Sequence, residues 1–277
     1  MKTSLFIFLC LFFIQTASAE TFDSEVVEVV SGEIGEPALV KWANGRVSFF
    51  SSEDAMTFKL LNELPSHHSV KVKINEASKM IALQSLEIQN TIEPDVENSP
   101  MMSYTPTIIQ TEEEARQLLL GFRRVSPFQF SIQCYNLAHM RAYEGFKYHG
   151  VKSMKMFLFF TDRYIRNYGF KWWFHVAPMV MVKYGDKVEQ RMVDKEWMKK
   201  PTATKEWTDK FVYSHKECPQ ISKYSQYTQG QETNDCYLLP VNMYYWQPSS
   251  LEELERTRIE RTQFDMSEVN TAFARDA

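Results

Sequence analysis

The chain has 277 residues, 44% of them hydrophobic and 14% aromatic, and carries a formal net charge of −4. That length allows one large domain or two ordinary ones with a packed core. The mild acidity excludes a dedicated nucleic-acid binder, and the absence of a long uncharged apolar run after the first 19 residues excludes a spanning helix there.

Residues 1–19 read as a targeting segment. Lys2 supplies a positive start, Leu5 to Ile14 an apolar stretch, and Ala17-Ser18-Ala19 the small residues of a cleavage site. The stretch falls short of the roughly 18–20 residues that span a bilayer. The mature chain is expected to begin near Glu20, to be secreted or periplasmic, and to touch no membrane once the signal is gone. Cys10 lies inside the signal, so export leaves Cys134, Cys218 and Cys236. An odd number implies one free thiol in an oxidising compartment. Cys218 and Cys236 flank a polar loop holding Pro219 and Gly230, and a disulfide closing it leaves Cys134 single. The loop-closure model assigns such a bridge roughly 3 kcal/mol. On parity alone Cys134 reads equally as a nucleophile or as an inert buried cysteine.

Residues 20–90 read as a small β-rich unit. Ser24 to Val30 alternates, and Pro37 to Ala43 and Arg46 to Phe50 flank Asn44-Gly45, a strong hairpin signal. Ser51 to Leu64 predicts a helix with a capping box at Ser51 and Asp54. Ser69 to Ile74 and Ile81 to Ile88 predict two more strands. Residues 91–110, acidic and interrupted by Pro94, Pro100 and Pro106, read as an exposed, cleavable linker.

Residues 111–277 form the larger unit. Helices are predicted over Glu112 to Phe122, over Ser131 to Gly145 with Gly145 near its end, and over Ser250 to Arg261 with a capping box at Ser250 and Glu253. Strands are predicted over Met154 to Phe160, Trp172 to Lys183 and Val188 to Val193, the last two joined at Tyr184-Gly185-Asp186-Lys187. Residues 20–110 carry a net charge of −8 and residues 111–277 a net charge of +3. Opposite charge favours docking of the two units.

Three residues have the chemistry of an acyl-transfer site. Cys134 falls in the first turn of a predicted helix, where backbone N–H groups and the helix dipole favour an anion and raise the thiolate fraction. His175 lies on a strand with Trp173, Ala177 and Met179 on its face and Trp172, Phe174 and Val176 on the other. A lone histidine in an apolar strand is more often a core residue than a catalyst. Asp194 changes that weighting: with a two-residue loop at Gly185-Asp186 it opposes Ala177 and comes within one diagonal of His175. A bulge would shift that register, and Asp194 then reads as a turn residue. His139, five positions after Cys134, points elsewhere on the helix and reads as structural. His67-His68 has no thiol or carboxylate at ligand spacing, so a metal site is not expected there.

Cys134-Tyr135 with Ala138-His139, then Trp172-x-Phe174-His175-Val176-Ala177, then Arg191-x-x-Asp194, resemble the bacterial protein-glutaminases, the protein-glutamine deamidases. The resemblance runs from about Gln133 to Pro248 and includes Trp207 and the Tyr245 to Ser249 stretch. It departs at Leu137, where a basic residue is expected, and at Lys195, where proline is expected. It implies an α+β fold with a papain- or transglutaminase-like catalytic domain, a Cys134–His175–Asp194 triad and no cofactor. It further implies proteins with exposed glutamine as substrates, and a secreted precursor whose N-terminal prosegment inhibits it. A transglutaminase-like or protease-like acyl transferase would use the same triad. A non-catalytic exported protein, with the β-rich unit as a binding module, is the alternative from another class.

Overall fold

The computed structural model describes residues 20–30, 37–51, 57, 61, 69–74, 80–85, 104–122, 133–230 and 233–276. The predicted targeting segment, His67 and His68, and residues 91–103 of the predicted linker lie outside them. So does most of the predicted helix at 51–64, of which Thr57 and Leu61 are helical.

The N-terminal unit is one antiparallel sheet of β1 (Glu20–Val30), β2 (Ala38–Trp42), β3 (Val47–Phe50), β4 (Ser69–Ile74) and β5 (Met80–Ser85), in the order β3-β2-β1-β4-β5. Period-two alternation in β4 puts Val70, Val72 and Ile74 into the core beside Ala38, Val40, Trp42 and Phe50. The hairpin between β2 and β3 has a three-residue loop rather than the bare Asn-Gly pair. The Trp42 N–H donates to the Arg46 carbonyl (2.9 Å) and the Gly45 N–H to the Trp42 carbonyl (2.9 Å), with Gly45 at φ +82°. The αL glycine of a three-residue hairpin requires that conformation.

The second unit runs β6 (Ile108–Ile109), α1 (Glu112–Gly121), α2 (Cys134–His149), β7 (Met154–Phe160), α3 (Asp162–Tyr168), β8 (Phe174–Tyr184), β9 (Lys187–Met192), α4 (Thr204–Thr208), α5 (Tyr224–Gly230), β10 (Cys236–Asn242), α6 (Pro248–Thr257) and α7 (Met266–Asp276). It is α+β. Its sheet has the order β10-β7-β8-β6, with β9 paired to β8. β8 is antiparallel to β7 and β9 and parallel to β6. Gly185 takes φ +59° at the first position of the two-residue turn, where a type II′ hairpin needs glycine. Tyr184 pairs with Lys187 and Met179 with Met192, which is the register expected from the sequence.

Several boundaries move. α2 begins at Cys134 and continues past Gly145 to His149, with Gly150 as its left-handed cap at φ +66°. Gly145 is instead a packing residue, where a β-carbon would meet Leu118 and Phe122 at 3.8 Å. α6 starts at Pro248 with Gln247 as its N-cap, so Ser250 lies inside the first turn and is not the cap. The end of the predicted linker is packed: Ile109 is buried, the Thr107 N–H donates to the Lys152 carbonyl (2.9 Å), and Ile108–Ile109 pairs with Met181–Val182.

The two units share a seam. β2 is buried on both faces, because Ala38, Val40 and Trp42 fill their own core while Leu39 and Lys41 face the second unit. Lys41 Nζ pairs with Asp162 (2.8 Å) and Glu28 (2.7 Å). The hairpin tip meets the chain just before β8: the Val47 N–H donates to the Lys171 carbonyl (3.0 Å) and the Trp173 N–H to the Gly45 carbonyl (2.9 Å). The Trp173 indole N–H donates to the Trp42 carbonyl (2.8 Å), and Arg46 pairs opposite Trp172. Trp172 and Trp173, expected at the start of the His175 strand, are therefore engaged by the other unit, and β8 proper begins at Phe174.

Candidate active site

Three elements converge on His175. It is the second residue of β8, almost wholly buried, and its Nε2–H donates to Asp194 Oδ2 (2.8 Å). Asp194 lies two residues beyond β9, also buried. Its own carbonyl accepts from the Met198 N–H (2.7 Å) and the Trp197 N–H (3.2 Å), which closes a tight turn around the carboxylate. The Trp207 indole N–H, from α4, donates to the same Oδ2 (2.8 Å). One carboxylate oxygen thus fixes both the imidazole and an indole.

Cys134 is the first residue of α2, partly exposed, and is the free cysteine among the described residues. α2 packs across β8, and its first turn is held there by Tyr135 against Phe174 and Trp246 and by the Trp246 indole N–H on Asn136 Oδ1 (3.0 Å). With Nε2 committed to Asp194, Nδ1 is the ring nitrogen left for the thiol. Nδ1 is buried and makes no hydrogen bond of standard geometry, but Cys134 is near enough for its sulfur to act on the imidazole. Burial alone pulls the His175 pKa down. The charge and hydrogen bond of Asp194, followed by Cys134, override that and raise it to about 10. The imidazole therefore favours its protonated form, beside the thiol that opens α2.

Aromatic rings wall the imidazole. Phe211 lies 4.4 Å from it, Trp207 5.6 Å, and Trp172 stacks at 6.0 Å with an 18° interplanar angle. Regular strand alternation would put Trp172 on the opposite face, and the stack forms because Trp172 precedes the regular strand. A thiol, an imidazole and a carboxylate so placed can break and remake an acyl–heteroatom bond.

Residues 107–211 match a family model described as Glutaminase. The structure aligns with a crystal structure of pro-protein-glutaminase at 13% identity and a TM-score of 0.51, covering 84% of this chain and 86% of that one. It aligns with a mutant of pro-protein-glutaminase at 14% identity and a TM-score of 0.52, with the same coverage. The matched stretch takes in Cys134, His175 and Asp194 and covers well under half of the chain. The fold around it, N-terminal unit included, is that of the pro-protein-glutaminases. No curated protein sequence matches the chain.

Other residues near the site have structural tasks. Lys195 donates from Nζ to the carbonyls of Leu120 and Phe122, satisfying the end of α1 and tying the Asp194 turn to it. Arg141 on α2 forks onto Glu196, which joins the cysteine helix to the same turn. His139 is fully buried with Nδ1 against Lys155 Nζ (2.6 Å), and Lys155 also donates to the Tyr245 carbonyl (2.7 Å). Burial, then the neighbouring Lys155 and Arg261 charges, hold the His139 pKa far below its ordinary value, so it stays neutral and structural. Cys218 and Cys236 are joined by a disulfide between the loop after α4 and the start of β10. Among the described residues no group of three metal-binding side chains converges, and no helix is long and apolar enough to cross a membrane.

Proposed function

We propose that the chain is the precursor of a secreted protein-glutamine deamidase, an amidohydrolase that converts protein-bound glutamine to glutamate and ammonia. The observation that carries the reading is the buried His175–Asp194 pair adjoining a thiol at the head of a helix. The Cys134 thiolate attacks the side-chain carboxamide carbon, and the oxygen takes the negative charge. Backbone N–H groups at the start of α2 hold that oxyanion. As the tetrahedral species collapses, the carbon–nitrogen bond breaks and protonated His175 gives its proton to the departing ammonia, leaving a thioester. Water then adds to the thioester while neutral His175 takes its proton, and release of glutamate regenerates the thiolate and the imidazolium. Asp194 holds the ring in the productive tautomer throughout. No cofactor enters the scheme.

The N-terminal unit is the inhibitory prosegment in this reading. Its hairpin tip covers the chain segment leading into His175, and it is removed after proteolysis in the 91–110 stretch. The signal-like residues 1–19 supply the route to the exterior. Ammonia release from casein-like proteins by the processed chain, absent in Cys134→Ala, tests the chemistry. Incorporation of an added amine instead of water would redirect the reading to a transferase, and no release at all would refute it.

A further inference from the structure

Beside the proposed triad runs aromatic surface that the chemistry does not use. Trp197 is 45% exposed, Tyr213 56% and Tyr168 43%. Isolated exposed rings are ordinary, but these are contiguous. Trp172, stacked on His175, meets Trp197 at 6.2 Å and Phe170 at 6.2 Å. Phe170 meets Tyr213 at 5.7 Å, and Tyr213 meets Tyr168 at 6.1 Å. A line of rings therefore leads from the imidazole to solvent.

The most exposed ring in that line stands on a fixed loop. The Tyr213 N–H donates to the Tyr164 hydroxyl (2.8 Å), which itself donates to the Phe211 carbonyl (2.7 Å). Ser214 Oγ–H donates to Asp235 Oδ2 (2.8 Å), and Asp235 also pairs with Arg163 (2.7 Å) and Lys216 (3.3 Å). The disulfide then anchors Cys218 to β10. A ring on so constrained a backbone loses little freedom when it is covered. Extended backbone already pairs at one end of the line, where Arg46 lies opposite Trp172.

We propose that Trp172, Trp197 and Tyr213 form a subsite for an aromatic or large aliphatic side chain flanking the reacting glutamine of a polypeptide substrate. The inference rests on the deamidase reading for the glutamine and on the ring geometry for the neighbour. Ring-on-ring contact at this spacing supplies discrimination beyond buried area.

The test uses two blocked pentapeptides, a central glutamine flanked by alanine in one and by phenylalanine in the other. Ammonia release is followed with the full chain and with the same chain after limited proteolysis. Binding is followed by tryptophan fluorescence in the Cys134→Ser background. The phenylalanine peptide is expected to lead by about 3–10-fold in kcat/KM and in affinity, mostly through KM. Tyr213→Ala and Trp197→Ala each pull the ratio toward one, and Tyr213→Phe keeps it, which separates loss of the ring from loss of the fold. A ratio near one in both forms, or one unaltered in Tyr213→Ala, overturns the subsite. Binding with the preference but without ammonia release upholds the subsite and overturns the deamidase reading.

Discussion

A single oxygen, Asp194 Oδ2, takes N–H groups from His175 and Trp207. Trp207→Phe keeps a ring in the wall and removes one of the two. Partners that orient a catalytic group at one remove are worth about 10–100-fold, so kcat is expected to fall by that order with KM little moved, and steady-state kinetics on a glutamine peptide read the split. The imidazole raised to about 10 sets a second expectation. Stability contributed by its charge is complete below its ordinary 6.5 and is lost as pH rises through about 10. Asp194→Asn removes the charge that lifts it, so the basic limb of the kcat profile should drop from near 10 toward 6.5. A limb that stays put would mean another group titrates. Cys134, His175 and Asp194, the triad proposed above, can be singled out in sequence because few residue types could do the chemistry proposed for them and parity isolates the thiol. Trp207, Lys195 and the Arg141–Glu196 pair cannot be given their tasks there, because hydrogen-bond partners so far apart in the chain meet only on folding.

Among the elements, the β2–β3 hairpin is where local sequence and docking meet. Asn44-Gly45 announces the turn, the loop takes three residues, and Gly45 must also admit Phe174. A β-carbon there would sit 2.9 Å from the Phe174 ring at φ +82°. Gly45→Ala is expected to cost about 1–2 kcal/mol from backbone strain alone, with the ring clash added to it. The hairpin should loosen from the second unit, seen as a lower Tm and higher amide-hydrolysis rate of the uncut chain. An unchanged rate would separate the hairpin from any inhibitory role. Strands with clean alternation or a two-residue turn, such as β4 and the β8–β9 pair, are legible in register. β10 is not, because Pro240 argues against a strand unless the strand is at the sheet edge, which is where β10 lies. α3 escapes a sequence reading although Thr161 caps it and Gly169 ends it in the left-handed region, since seven residues carry too little periodicity to see.

At the scale of the molecule, the Cys218–Cys236 bridge spans 18 residues and braces the loop that displays Tyr213. Replacing both cysteines with serine is expected to cost about 3 kcal/mol, or a Tm drop of about 6–10 °C in a scanning melt. The two-unit organisation can be read in advance from the charge division and the proline-rich stretch, whereas the seam cannot, because it is built from backbone groups and from residues on both faces of β2. Leu39 and Val47 sit in the same apolar cluster as the second unit's own core, and Lys41 reaches across to Asp162. Noncovalent contacts therefore add to the connecting chain in keeping the pieces together. If the N-terminal unit is the inhibitory prosegment proposed above, a clipped chain would stay assembled as a two-piece complex, and the lag before activity appears would be set by an off-rate or by digestion of the N-terminal piece.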